Sequence, residues 1–368
     1  MARGHGIVPL VYEGLNASGL PASAASTLRV LQDEFRESAS NGFLYAAELV
    51  RVSKYLEEHG VSALAFKGPT LALLLYGKLS LRTVRDLDLL VARRQIDQAM
   101  RALQACGYEP VSGTGGEPPS ISGKTRKHVL FVHCKLGFAV ELHWAVADAS
   151  FVFPLRFEQA WAERQAVTVM GHPIATLSRE HMLLLMAAHG TNHCWGSMKW
   201  ICDIAQAVIA FHDIDWNRLL ARAHRLGCRR MLLVGLALAR EICGVQLPQE
   251  LEPHSRTEKV DNIRREIQMR IFAEREPAVY LERILTFVRS RERLIDRVRV
   301  LWRFVGPELN PKPGDFALIQ LPRCFRILYF PMRLARILLF RWNRTVRPIA
   351  QSALDLTPAG GLSANPSK

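Results

Sequence analysis

Apolar positions along the chain recur with two periods, and the switches between them mark the elements. Ala24–His59 repeats apolar residues at helical spacing and predicts one or two helices, with a break near Ser38–Gly42 and a stop at Gly60. Ser62–Phe66 is a short apolar run that ends at Lys67-Gly68. Thr70–Tyr76 is leucine-rich and suits a buried helix, with Pro69 at home in its first turn. Val84–Val91 predicts a strand with Leu87, Leu89 and Val91 on one face and Asp86 and Asp88 on the other. Arg93–Cys106 predicts a helix with Gly107 past its end, and Tyr108–Ser112 a strand. Ser112–Lys127 is rich in Gly, Pro and Ser and predicts a mobile loop. Lys127–Cys134 and Phe138–Val146 predict a hairpin around Lys135-Leu136-Gly137. Phe153–Trp161 and Arg164–Thr176 follow, the second with strand-like alternation. From Ser178, which reads as an N-cap, the pattern is helical through Lys199–His212, Trp216–Leu226, Arg229–Cys243, Glu250–Glu276 and Pro277–Val305. Gly306–Asp315 reads as a proline-rich linker.

Length and composition narrow the class. The 368 residues allow two or three domains, and with 49% hydrophobic residues the chain can bury a substantial core. The seven cysteines show no C-x-x-C pair, and several lie in apolar runs. That pattern speaks for reduced thiols in a cytoplasmic protein and against a secreted disulfide scaffold. No signal peptide and no transmembrane helix is expected, since the longest apolar runs, such as Met231–Ala239, fall well short of the roughly 20 residues a span requires.

The net charge of +14 is unevenly spread. Between Arg283 and Arg347, 14 arginines and one lysine stand against four carboxylates, which leaves +11 in that part alone. Leu321–Arg347 interleaves seven arginines with apolar and aromatic residues. Three readings stay open: a helix pair on an anionic membrane surface, a grip on a nucleic-acid backbone, and a helix packed on its own core. The first makes membrane association of a cytoplasmic protein an expectation, and nucleic acid ranks behind it because the charge is remote from the carboxylates discussed next.

The candidate chemistry centres on Ala63–Val91. Gly68 permits a tight turn, and the helix after it offers free backbone N–H groups as a phosphate seat through Gly68 and Thr70. Asp86 and Asp88 on one strand face repel each other, and a cation relieves the repulsion. Mg²⁺ prefers carboxylate oxygens combined with substrate phosphates. Glu141, on the second strand of the hairpin, shares a face with His143. A third acidic group beside the pair would complete a site for one or two Mg²⁺ ions. Lys67, Arg82 and Arg85 are candidate phosphate ligands. His143 reads as a phosphate contact, as a partner of the ligands, or as a structural histidine. His181, His189 and His193 fall roughly along one stripe of the first C-terminal helix. Without the H-E-x-x-H order, that stripe reads as substrate-facing or as helix packing rather than as a zinc site. Asp203 stands among Trp200, Ile201, Ile204 and Ala205 and needs a partner, a histidine of the preceding helix or a group of the site.

Lys67-Gly68, Leu74-Leu75-Tyr76-Gly77, Arg82, Arg85 and Asp86-Leu87-Asp88-Leu89-Leu90-Val91 resemble the signature of the uncharacterised nucleotidyltransferase family, within the DNA polymerase beta-like superfamily. The resemblance runs more loosely through Val140–Trp144 and Trp200–Ala205, over roughly residues 40–240. This chain has Pro69-Thr70 where many superfamily members carry a small residue after the turn glycine. The resemblance implies an α+β fold with a small mixed sheet, flanking helices and a helical C-terminal domain. It implies transfer of a nucleoside monophosphate from an NTP, with ATP the expected donor, to an unidentified acceptor. Asp86, Asp88 and Glu141 would be the catalytic, Mg²⁺-binding residues, and pyrophosphate would leave. Lys67, Gly68, Thr70, Arg82, Arg85 and His143 would contact the nucleotide, supported by His189, His193 and Asp203. The expected organisation is an irregular N-terminus at 1–22, a catalytic core at 23–177, a helical domain at 178–305, a basic amphipathic segment at 306–350 and a disordered tail at 351–368. The alternative is a non-catalytic nucleotide-binding or membrane-associated scaffold module.

Overall fold

The computed structural model describes residues 1–18, 25–111, 128–145, 155–273 and 280–310, and short stretches between 316 and 336. The expected loop at 112–127, the tail at 351–368 and most of Leu321–Arg347 lie outside the described residues. The chain forms two compact units, Met1–Val300 and Leu301–Lys368. The divisions expected at 22/23 and 177/178 fall inside the first unit. In the second, the Phe316 and Tyr329 rings meet edge to face at 4.7 Å. No helix among the described residues is long and apolar enough to cross a membrane.

The N-terminus is helical rather than irregular, with α1 (Ala2–His5) and α2 (Val8–Ala17). Pro9 sits in the first turn of α2, where its missing N–H has no helical partner to lose. Next, α3 (Ala25–Glu58) runs unbroken through Ser38–Gly42. Gly42 is there for closeness, not for a break: a Cβ at that position would stand 2.9 Å from the Leu79 carbonyl oxygen. One face of α3 supplies Ala46, Leu49, Val52 and Leu56 to the core.

A five-stranded mixed sheet lies on that face in the order β1-β2-β5-β4-β3. Its strands are β1 (Ala63–Ala65), β2 (Leu87–Val91), β3 (Tyr108–Pro110), β4 (His128–His133) and β5 (Ala139–His143). β2 and β5 are parallel, and the other pairs are antiparallel. Leu87, Leu89, Val91, Val129, Phe131, Val140 and Leu142 point into the core, as the alternation predicts. β2 is shorter than Val84–Val91. The Arg85 carbonyl accepts a hydrogen bond from the Tyr45 hydroxyl at 2.6 Å, so that stretch is held by α3 rather than by a neighbouring strand. Between β1 and β2 lies α4 (Gly68–Tyr76), and α5 (Ile96–Ala105) connects β2 to β3. The tip of the expected hairpin holds, with β4 and β5 paired across it.

After α6 (Phe157–Ala162), β6 (Gln165–Val169) and β7 (His172–Thr176) form a separate hairpin. Its two-residue turn puts Met170 and Gly171 at positive φ, as such turns require. Helices follow: α7 (Arg179–Asn192), α8 (Met198–Ala210), α9 (Trp216–Arg225), α10 (Arg229–Cys243), α11 (Glu252–Ser255), α12 (Glu258–Phe272), α13 (Tyr280–Arg289) and α14 (Leu294–Leu309). Ser178 caps α7 as expected, its hydroxyl accepting from the His181 N–H. The single helix expected over Pro277–Val305 is two, and α14 runs on into the expected linker to Leu309. The break holds a fully buried Arg291, whose guanidinium donates to the Gly227 carbonyl at 3.1 Å. Burial is the main cause that lowers the pKa of this guanidinium, with Asp296 acting against it.

The bundle is registered by Trp195, fully buried between α7 and α10. Its ring lies where Cβ atoms of Gly190 and Gly235 would stand, at 2.5 and 2.7 Å. Gly190→Ala and Gly235→Ala are each expected to lower stability by about 1–3 kcal/mol through overpacking. Urea unfolding followed by Trp fluorescence measures this; wild-type midpoints in both variants would show that the indole has room to move.

Candidate active site

The site starts at the turn between β1 and α4. Gly68 has φ +57, and a Cβ there would come within 3.1 Å of the Asp86 carbonyl oxygen. The turn therefore requires glycine and holds Asp86 against the N-terminus of α4. The Thr70 hydroxyl donates to the Lys67 carbonyl at 2.8 Å, with the Ala65 carbonyl at 3.2 Å. Thr70 is thus a fully buried brace of the turn and does not line the cavity, contrary to its expected role as a nucleotide contact.

The parallel pairing of β2 and β5 places Asp88 directly opposite Glu141, with side chains on one sheet face. Asp88 is buried, and Lys67 Nζ donates to its Oδ1 at 2.8 Å. His143 Nε2 lies 3.1 Å from the same Oδ1 and 3.0 Å from Glu141 Oε2. Two carboxylates facing one nitrogen make that nitrogen the protonated one. Burial pushes the Asp88 carboxyl up, but Lys67 and His143 outweigh it and hold the group well below the usual carboxylate range. The His143 hydrogen bond likewise lowers Glu141. Asp86 is raised, first by burial and then by the charge of Asp88. Asp88 Oδ2 is buried with no hydrogen-bond partner among the described residues.

These groups line a cavity of about 440 Å³. Its floor carries Lys67, Gly68, Asp86, Asp88, Glu141 and His143, with Arg82 and Arg85 at the side. Its wall comes from α7 and α8 through His189, His193, Lys199 and Trp200. The His193 and Trp200 rings lie 5.0 Å apart and 31° from parallel, and His189 meets Trp200 edge-on at 5.5 Å. Burial, with Lys67 next, pushes the His189 imidazole well below the usual histidine range, so it is neutral at pH 7. Burial, with Arg82 next, lowers Lys199.

Two expectations change, and one of two open alternatives is taken. The expected stripe breaks, because His181 faces Arg222, with Nε2 3.1 Å from its guanidinium. Eight residues amount to about 80° around a helix, enough to turn His181 from the wall that His189 lines. Arg82 is buried, and its Nε donates to Asp203 Oδ2 at 3.1 Å, so its charge is already matched. Asp203 takes Arg82 and the Tyr76 hydroxyl (3.0 Å) as partners instead of a histidine. That triad joins α4, the loop before β2 and α8.

Sequence reasoning missed His128, Lys199 and Trp200. His128 was findable, because a hairpin centred on Lys135-Leu136 puts residue 128 opposite 143, as observed. Among the described residues, the set of three metal-ligating side chains with ligand atoms within 4.8 Å of one another is His128, Glu141 and His143. Asp86 and Asp88 share the cavity but not that set.

Asp203→Ala would leave Arg82 charged and buried, and is expected to cost about 3–5 kcal/mol of stability. Tyr76→Phe removes one hydrogen bond and is expected to cost about 1 kcal/mol. Chemical denaturation of both variants checks the order; an Asp203→Ala loss no larger than that of Tyr76→Phe would mean that Arg82 finds another partner.

No curated protein matches the chain significantly. Among solved structures, it is similar to ANT(2'')-Ia in complex with adenylyl-2''-tobramycin, with 11% identity, a TM-score of 0.36, and 50% of this chain and 97% of that chain covered. A nucleotidyltransferase-like protein from Paracoccidioides brasiliensis matches with 19% identity, a TM-score of 0.33, and coverage of 51% and 89%. The lincosamide antibiotic adenylyltransferase LnuA, lincomycin-bound, matches with 15% identity, a TM-score of 0.31, and coverage of 44% and 94%. The model of the uncharacterised nucleotidyltransferase family matches residues 1–244, from α1 to the C-cap of α10 and hence over the sheet, the cavity and its helical wall. On that match, the chain belongs to the uncharacterised nucleotidyltransferase family.

Proposed function

We propose that this chain transfers a nucleoside monophosphate from an NTP, ATP in our reading, to an acceptor, and that Asp86, Asp88 and Glu141 hold Mg²⁺ for the reaction. The observation that carries the reading is the buried, unpartnered Oδ2 of Asp88 at the floor of a cavity it shares with Asp86, Glu141 and the Lys67-Gly68 turn. A lone buried carboxylate oxygen is costly without a cation or donor, and hard oxygen donors suit Mg²⁺. Bound there, Mg²⁺ would neutralise charge on the triphosphate and on the leaving pyrophosphate.

The chain's own residues do the positioning. Lys67 now neutralises Asp88. On nucleotide binding it would pass to a phosphate oxygen, leaving His143 as the partner of Asp88 Oδ1 and Oδ2 open. Arg85, exposed at the cavity side, supplies a second phosphate contact. Arg82, held by Asp203, acts as a fixed positive charge behind the site rather than as a mobile ligand. His193 and Trp200 offer flat faces for a base or an acceptor ring. The acceptor nucleophile attacks the α-phosphorus, the bond to the bridging oxygen of the β-phosphate breaks, and pyrophosphate leaves. Alignment and charge neutralisation supply most of the rate.

Calorimetry with ATP and Mg²⁺ tests this on the wild type and Asp88→Asn. Binding is expected to require Mg²⁺ and to weaken at least about 100-fold in the variant, roughly 3 kcal/mol. ATP binding unchanged by EDTA and by the substitution would overturn the carboxylate assignment.

A further inference from the structure

Two imidazoles stand in this cavity beside Glu141, and the carboxylate reading uses neither as a ligand. His128 and His143 are direct cross-strand partners on β4 and β5, with ring centroids 4.9 Å apart. Glu141 precedes His143 by two residues and shares its face, with Oε2 3.0 Å from His143 Nε2. One ligand atom from each of the three lies within 4.8 Å of the others. All three line the cavity.

We propose that His128, Glu141 and His143 bind a transition-metal dication of the Zn²⁺ class, next to the Asp86–Asp88 pair. This inference goes beyond nucleotidyl transfer and does not depend on it. Ligand atoms on a metal at about 2.0–2.1 Å sit about 3.0–3.4 Å apart, and the His143–Glu141 pair already has that separation. The His128 ligand atom lies within 4.8 Å of both, and a side-chain movement of up to about 1.4 Å brings it to that separation. The three residues come from adjacent strands of one sheet, so the set is held by the backbone ladder rather than by a loop. Two imidazoles and one carboxylate form a zinc donor set that leaves a fourth position open. That position faces the cavity, where a phosphate or acceptor oxygen would take it. Imidazole nitrogen also discriminates: Zn²⁺, Co²⁺ and Mn²⁺ accept it, whereas Mg²⁺ prefers oxygen. Ligation through Nε2 puts the proton of the neutral His143 imidazole on Nδ1, and Lys67 remains to neutralise Asp88.

The test uses the full chain stripped with EDTA and titrated with Co²⁺, whose visible absorption reports its ligands, followed by displacement with Zn²⁺. One equivalent is expected to bind, with about a 100-fold excess of Mg²⁺ failing to displace it. His128→Gln and Glu141→Gln are expected to weaken Co²⁺ binding at least about 100-fold, while Asp86→Asn changes it less than about threefold. Circular dichroism melts establish that each variant is folded. X-ray absorption of the zinc-loaded wild type needs no variant and is expected to show two imidazole ligands. Absence of stoichiometric binding, a zinc shell without imidazole, or loss of binding in Asp86→Asn with retention in His128→Gln would each overturn the proposal. The last of these outcomes would leave the carboxylate site standing, so the two readings fail separately.

Discussion

The structure depends on the burial of one carboxylate. Asp88 is 2% exposed, in a strand whose other residues are all buried. A charge in that position is tolerated only when its partners are preorganised. They come from separate elements: Lys67 from the turn after β1 and His143 from β5. The Asp88 carboxyl remains ionised because these two outweigh desolvation. Each partner is then fixed by something else. Gly68 fixes the path of the turn by lying against the Asp86 carbonyl, and Thr70 ties that turn to the end of β1. His143 is fixed by its cross-strand pairing with His128 and by Phe66, whose ring meets it edge-on at 5.1 Å.

The same logic explains how the helical wall is joined to the sheet. Asp203 is buried on α8, and its compensation is Arg82, buried on the loop before β2, with Tyr76 at the end of α4. Cutting the wall from the sheet would expose two apolar surfaces and strand a charge on each. The Arg82–Asp203 pair therefore sets register more than it adds stability, as buried pairs commonly do little better than an apolar replacement. Arg82 is drawn away from substrate by this role. Its positive field still reaches the cavity and contributes to the lowered pKa of Lys199.

How far the sequence reading reached follows from which interactions are local. Asp86-Leu87-Asp88-Leu89 declares its faces through strand alternation, and Glu141-Leu142-His143 does the same, so the carboxylates and the α+β class were legible. The turn at Lys67-Gly68 was legible because glycine marks it. Arg82 and His181 were not, because their partners lie 121 and 41 residues away, where no local period reaches. The break expected at Ser38–Gly42 failed for a related reason: Gly42 answers to Leu79, a distant backbone, and not to its own helix. The helical N-terminus was hidden by glycines and a proline that read as loop residues until Pro9 is placed in a first turn.

Charge balance inside the cavity decides what can enter it. Lys67, Arg82, Arg85 and Lys199 face Asp86, Asp88 and Glu141. Arg82 is already matched by Asp203, and Lys67 by Asp88, so little free positive charge is left near the floor. The excess of +11 lies in residues 283–347, remote in sequence from these carboxylates. On the function proposed above, a triphosphate entering alone would bring its charge against Asp86 and Glu141 in a partly desolvated pocket, where such repulsion is weakly screened. On the same proposal, entry with a divalent cation would reverse that sign, because the cation would satisfy Asp88 Oδ2 and the phosphate oxygens together. Cation and nucleotide would then be mutually dependent ligands, each raising the affinity for the other by the same factor, as linkage requires.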